Sequence, residues 1–296
     1  MRSMRLTPDR LVKATAADKT LRGLAVTTTN LVEHVRERHK TAPTASAALG
    51  RTLTAGLLLG SMLKQDETLS LQFLGNGPLR GIFVDANARG EARGFVYNPR
   101  AHLPLRQGKL DVGGALGSGT LTVIRTQPWG KEPYRSILPI VSGEIGADIA
   151  HYLLNSEQIP SAVSLGVFVR PDESIGAAGG FIVQVMPGAS EEIISQLEAR
   201  VAQTKPVSQL VREGATSQDI LTSVLDEFGP VTVDDMPVRF SCRCSRERVL
   251  DMLVALGKAE VDDLLTTEGA AAVTCEFCGE LYTVGREELN ALFEGQ

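Results

Sequence analysis

The placing of the cysteines constrains this chain more than any other feature. There are four among 296 residues. "CRCSRERV" supplies Cys242 and Cys244, and "CEFCGELY" supplies Cys275 and Cys278. The stretch 237–296 that carries them holds few large apolar residues, and a segment of that size rarely stands on its core alone. Four thiolates converging on one zinc ion supply the missing cross-link. Two local pairs separated by a folded excursion suit such a tetrahedral site. Cys275 and Cys278 fit a turn in which both sulfurs face one ion, and Gly279 follows where the chain must turn back. The first pair has a single spacer, a rarer arrangement, and its sulfurs can still converge if Cys244 lies just before a helix start.

Other uses of four cysteines fit less well. Structural disulfides need an oxidising compartment. The opening "MRSMRLTPDRLVKATAADKT" has no apolar run of the signal-peptide kind. The longest apolar stretch, Thr54 to Leu63, contains Gly56 and Gly60 and is too short to span a bilayer. A cytoplasmic protein without a membrane segment is therefore expected. A redox enzyme built on Cys275 and Cys278 would need a βαβ setting that the pattern lacks. A zinc ribbon that binds nucleic acid or a partner protein is the alternative reading. Nucleic acid would call for basic surroundings, yet residues 241–296 carry 5 basic against 11 acidic side chains. No Ser/His/Asp set and no phosphate loop appears, so no enzyme is expected.

The net charge of −5 hides an asymmetry: residues 1–187 hold 21 basic against 15 acidic side chains, and residues 188–240 hold 4 against 9. The acidic back is expected to dock on the basic front, an attraction that salt weakens.

The pattern along the chain predicts an α+β fold in three parts. Residues 1–187 form a mixed domain with a largely antiparallel sheet and packed helices. Within it, residues 1–29 show no strong period. "NLVEHVRERH" predicts a helix capped by Asn30. Pro43 ends it or opens the next, and "TASAALGRTLTAGLLLGSMLK" predicts a buried helix whose glycines allow close packing. Residues 68–97 alternate apolar runs with turn signals and predict a strand meander, continued by 117–126 and 134–141. Residues 143–158 predict a helix with Ile145, Ile149, Tyr152 and Leu153 on one face. "SAVSLGVFVR" and "GGFIVQVMP" predict a strand pair joined by a glycine-rich hairpin. Beyond Pro187 the strands are expected to stop. Residues 188–236 read as a linker arm of amphipathic helices, the first capped by Ser190. Their apolar faces, among them Ile193, Leu197, Ile220, Val224 and Phe228, need a surface to lie on. Residues 237–296 form the small zinc-binding α+β module, with Ser245 capping a helix that ends at Gly257.

Outside the cysteines, His34, His39, His102 and His151 are scattered and suit structural or solvated roles better than metal binding. "GALGSG" (114–119) sits in strand context. Trp129 reads as a loop anchor, and Arg51 and Glu144 as partners.

Zinc does not exhaust the chemistry of these sulfurs. A metal and a helix N-terminus both keep sulfur as thiolate, the reactive form. The members of each pair are close enough in sequence to join, Cys242 with Cys244 and Cys275 with Cys278, through a sulfenic acid that condenses with its neighbour. Structural zinc contributes roughly 10–16 kcal/mol of folding free energy in small modules, against about 5–15 kcal/mol for a whole domain's net stability. A module that loses its ligands to oxidation is therefore expected to unfold and to withdraw support from the arm beside it. A bond across one residue closes a small ring and is expected to be easily reduced.

"RFSCRCSRERV" with "CEFCGELY" resembles the C-terminal zinc module of the redox-regulated heat-shock chaperones of thirty-three kilodaltons, the 33 kDa chaperonin family. "RHKTAPTASAALGRTLTAGLLLG", "FLGNGPLRGIFVDANARGEARGFV" and "VSGEIGADIAHYLLNSEQIPSAVSLGVFV" extend the resemblance over nearly the whole chain. The resemblance implies an ATP-independent holdase that keeps unfolding and oxidatively damaged client proteins from aggregating under stress. It implies that Cys242, Cys244, Cys275 and Cys278 bind one zinc ion in the reduced, inactive form. It further implies two disulfides within the pairs, zinc release and a dimer in the active form. Client binding comes from the resemblance, not from spacing.

Overall fold

The chain enters its fold as an antiparallel pair, β1 (Arg10–Ala16) and β2 (Leu21–Thr27). This computed structural model describes residues 7–64, 66–127, 132–268 and 270–294. Trp129 lies outside them. The pair escapes a periodicity reading because it is buried on both faces. Leu11, Leu24 and Val26 join one core, while Val12, Ala14 and Ala25 join a second. Its turn also lacks the usual glycine or asparagine: Ala17, Asp18 and Lys19 all take positive φ.

Helix α1 (Thr29–His39) follows, with Thr28 rather than Asn30 at the cap position. Asn30 instead donates to the Thr7 carbonyl. The capping carboxylate comes from Asp9, which accepts the Leu31 N–H at 2.8 Å, so a distant residue does what a local signal predicted of Asn30. Helix α2 (Pro43–Gly60) opens on its proline and is buried along almost its whole length. A helix apolar all round needs cover on every side, and α2 lies between two sheets. Close approach is what its glycines permit: a Cβ on Gly50 would stand 2.7 Å from Val32 and 2.9 Å from Val167.

The meander β3 (Thr68–Gly75), β4 (Gly81–Asn87) and β5 (Glu91–Val96) forms as predicted. The glycine run after it differs: α3 (Val112–Leu116) is a short helix capped by the Asp111 carboxylate, which accepts the Gly114 N–H. Strands β6 (Gly119–Thr126) and β7 (Tyr134–Pro139) continue the sheet, and α4 (Gly146–Asn155) buries Ile149, Tyr152 and Leu153 together with its cap residue Ile145. Arg51 and Glu144 pair at 2.6 Å, with the Arg51 side chain 15% exposed and that of Glu144 51%.

Strands β8 (Ser161–Val169) and β9 (Ile175–Val185) pair antiparallel. Their turn, however, is 170–174, with Glu173 at positive φ. Gly176, Gly179 and Gly180 lie inside β9, where Cβ atoms would strike neighbouring strands.

Helices α5 (Glu191–Gln203), α6 (Val207–Arg212) and α7 (Ser217–Leu225) follow, the first capped by Ser190 and the last continued by a 3-10 turn to Phe228. Leu197, Val207, Ile220, Leu221, Val224, Leu225 and Phe228 pack against Val12, Ala14, Ala25, Phe181 and Val183. The strands do not stop at Pro187: β10 (Val231–Pro237) pairs with β1 and β11 (Arg239–Phe240) with β5. As an edge strand β10 stays mostly exposed, so its sequence lacks a buried alternation. Lys13 and Arg10 hold its Asp234 and Asp235, ion pairs that join the basic front to the acidic back.

The strand orders are β10-β1-β2-β9-β8 and β11-β5-β4-β3-β6-β7. These elements make one compact unit, Met1–Ser241, and Cys242–Gln296 makes a second. The second holds α8 (Arg246–Leu256), α9 (Lys258–Glu268), the hairpin β12 (Ala270–Thr274) and β13 (Leu281–Gly285), and α10 (Arg286–Glu294). Among the described residues its core holds Val249, Leu253, Val261, Ala271, Val284 and Leu289, with Leu250, Val273 and Tyr282 packed against them. No described helix is long and apolar enough to cross a membrane.

Candidate metal centre

Cys242 and Cys244 lie on the extended stretch before α8. Ser245 caps that helix by accepting the Arg248 N–H, which places Cys244 immediately ahead of a helix N-terminus. Cys275 and Cys278 occupy the turn between β12 and β13. The Gly279 N–H donates to the Cys275 carbonyl at 2.7 Å, and the Cys275 N–H donates to the Glu280 carbonyl at 2.9 Å. Gly279 takes φ +68°, a conformation that glycine adopts without a Cβ clash. The turn thus folds back where the sequence required it to.

All four sulfurs lie within 4.8 Å of one another. Cys242 Sγ is 3.7 Å from Cys275 Sγ, and Cys244 Sγ is 3.3 Å from Cys278 Sγ. A tetrahedral zinc ion with bonds of about 2.3 Å sets its sulfurs roughly 3.8 Å apart, so these residues fit a metal ion of that kind. None of the four is in a disulfide. Cys278 is buried and the other three are half-buried.

The electrostatics ask for a cation. Burial opposes ionisation of Cys242, but the Cys244 N–H and the neighbouring thiols outweigh it and bring Cys242 down to about 7. Cys275 and Cys278 are pushed up, first by burial. One sulfur ionises at the expense of its neighbours, and a bound cation would let all four do so.

Reading the sequence alone missed one neighbour of the site. Tyr282, on β13, donates its hydroxyl to Cys244 Sγ at 3.2 Å. The thiol sulfur in turn holds the phenol proton, raising Tyr282 to about 12. Its place in "CGELY", opposite Val273 in the hairpin register, is the signal that would have found it. A bidentate Arg246–Glu288 pair ties α8 to α10 beside the same cysteines. No histidine joins the candidate metal group among the described residues: His34 packs on Phe240, His102 bonds Thr44 and His151 bonds Asn155.

Comparison with known proteins gives one consistent result. A family model described as "Hsp33 protein" matches residues 9–285. A "33 kDa chaperonin" of Bacillus subtilis is 48% identical over 286 residues, covering 96% of this chain and 98% of its own. One from Staphylococcus aureus is 45% identical over 290 residues, covering 98% and 99%. The crystal structure of a 33 kDa chaperonin from Thermotoga maritima superposes with a TM-score of 0.91 at 34% identity, covering 98% of this chain and 99% of that one.

Proposed function

The chain belongs to the Hsp33 protein family, and from that premise we propose that it is a cytoplasmic, redox-regulated, ATP-independent holdase for unfolding and oxidatively damaged proteins. Chaperone function follows from the family. The redox control is our reading of the site.

Four converging sulfurs in a unit of some 55 residues carry that reading. Cys242, Cys244, Cys275 and Cys278 would hold a zinc ion as thiolates, and the ion would supply the cross-link that the small module otherwise lacks. One thiolate attacks a peroxide oxygen and breaks the O–O bond, giving a sulfenic acid and a hydroxide that leaves as water. The neighbouring thiol then displaces a second water and closes the disulfide. Two such sequences join Cys242 with Cys244 and Cys275 with Cys278, consume two peroxides and all four thiols, and leave no ligand for the ion. The module's small core does not hold it folded afterwards.

The chain runs from Cys242 directly back into β11, β10 and the arm helices. Helices as short as α5, α6 and α7 depend on packing rather than propensity. In this proposal 1–187 is the client-protecting domain, 188–236 the arm and 237–296 the switch. Unfolding of the switch loosens the arm and uncovers the sheet face beneath it. The uncovered face takes up clients and favours a dimer of the oxidised form.

The test treats reduced, zinc-loaded protein with hydrogen peroxide at raised temperature. Zinc release, free thiols and light scattering by an aggregating client are followed on the same sample. Thiols falling from four to zero, with zinc release and suppressed scattering in step, are the expected result. Equal suppression by reduced, zinc-bound protein would sink the switch, and no suppression after full oxidation would sink the holdase reading.

A further inference from the structure

We propose that a small cavity between the two sheets, at the C-terminal end of α2, binds a small aliphatic carboxylate. Arg22 holds the carboxylate, and the apolar walls take a chain of about four to five carbons.

The first observation is the cavity itself. Its volume is about 170 Å³. Arg22 and Gln184 reach it from β2 and β9 of one sheet, and Leu69 and Arg125 from β3 and β6 of the other. Tyr152 and Leu153 reach it from α4. Leu59, Met62, Leu63, Leu69, Leu153 and Ile159 make its walls apolar. Its inner residues Leu59, Leu69 and Gln184 are buried, while Arg22, Met62 and Ile159 are half-buried and mark the mouth. An apolar cavity of roughly 150 Å³ admits a molecule the size of benzene. This one therefore takes a ligand of few atoms and has no room for a nucleotide or a stretch of polypeptide.

The second observation is the set of open donors. Arg22 and Arg125 line the cavity against one acid, Glu157. That acid belongs to Arg125. The two are ion-paired, and the Tyr152 hydroxyl donates to Glu157 at 2.5 Å while accepting from Arg125 at 2.8 Å. Arg22 has no acidic partner among the described residues; its side chain donates to Gln184 Oε1 at 3.4 Å. A long bond to a neutral acceptor leaves most of the guanidinium fork open. Gln184 is 1% exposed, and its amide nitrogen donates to no described residue. Arg125 Nε is also buried without a hydrogen-bond partner. Buried polar groups are rarely left so, and each such gap marks a place where a polar group belongs. Every gap here is a donor that lacks an acceptor. A carboxylate offers two acceptor oxygens in one plane, the arrangement that a guanidinium fork matches.

None of the lining residues lies in 188–296, so the site depends neither on the arm nor on the sulfur chemistry. Binding is expected in the reduced and the oxidised form alike. A bound carboxylate joins β2 and β9 to the elements that face them, and stabilises the fold of this unit in step with its occupancy.

The test titrates isovalerate, 3-methylbutanol and inorganic phosphate into full-length protein, reduced and oxidised, and follows ligand-observed NMR and amide exchange. The alcohol has the apolar body without the charge, and phosphate the charge without the body. Isovalerate is expected to slow exchange in β2, β9 and α4, and to bind at least about tenfold more tightly than either control. Arg22→Met is expected to bring isovalerate down to the level of the alcohol, and Arg22→Lys to restore part of the difference. Leu63→Trp keeps both arginines and fills the mouth, and is expected to abolish binding of isovalerate and alcohol together. Melting of the unliganded variants shows that they fold; should Arg22→Met not fold, the ligand series and Leu63→Trp still decide. No saturable binding of isovalerate, an alcohol or phosphate that binds as tightly, or an affinity that Arg22→Met leaves unchanged would each overturn the proposal and leave the cavity to water.

Discussion

Tyr282 is a side chain that joins the metal centre to the core of its module. A hydrogen bond to a charged sulfur contributes about 1.5–3 kcal/mol, and it stabilises the thiolate against attack. Tyr282→Phe keeps the ring in its place beside the module core and removes only the donor. Zinc transfer to a colorimetric chelator, at fixed peroxide, should then run several-fold faster. Equal rates would mean that the hydroxyl does nothing for Cys244. Leu289→Ala, a core change remote in sequence from the cysteines, is the control for simple destabilisation. Asp9 gives a second residue-scale prediction. Burial raises its carboxyl from 3.8 to about 6, against the opposing pull of the Leu31, Asn30 and Thr29 N–H groups. Between those values the folded chain binds more protons than the unfolded one, so stability falls as pH rises through the window. Unfolding at pH 5 should cost about 1–2 kcal/mol more than at pH 7.5, and Asp9→Asn should abolish that difference. An unchanged pH dependence in the variant would contradict the account. The cysteines were legible because four of one reactive residue at tight spacing have few uses. Tyr282 and Asp9 were not, since each acts on a partner brought close only by the fold.

At the scale of elements, α2 and the hairpin turn bear the sharpest predictions. Gly50→Ala gains roughly 1 kcal/mol of helix propensity. Its Cβ, however, would meet Val32 and Val167 at under 3 Å, and overpacking costs about 1–3 kcal/mol. Net destabilisation by urea unfolding is expected; stabilisation would show that α2 has slack. The two-residue spacer between Cys275 and Cys278 matters in the oxidised form. Cys242 Sγ also lies 3.7 Å from Cys275 Sγ and Cys244 Sγ 3.3 Å from Cys278 Sγ, and bonds between those would staple the module shut. Peptide mapping should instead recover Cys242–Cys244 and Cys275–Cys278, and cross-linked peptides from the other pairing would rule out opening by oxidation. Helices with local caps, such as α5 with Ser190 and α8 with Ser245, could be read from sequence. Strands β1 and β2, buried on two faces, and β10, exposed on most of its length, lack the alternation that reveals a strand.

For the whole molecule, the five-stranded sheet has two apolar faces and two different covers. One is α2, locked between sheets. The other is the arm, whose Leu197, Ile220, Val224 and Phe228 cover Val12, Ala25, Phe181 and Val183. The first cover is buried along almost its whole length, while the second leads along the chain to Cys242. In the proposed switch, sulfur chemistry at the metal centre uncovers this face. Amide hydrogen exchange across 191–228, compared between reduced zinc-loaded protein and protein with both disulfides formed, tests it most directly. Strong protection in the reduced form and its loss on oxidation, with α2 protected in both, are the expected result. Equal protection of 191–228 in the two states would contradict it.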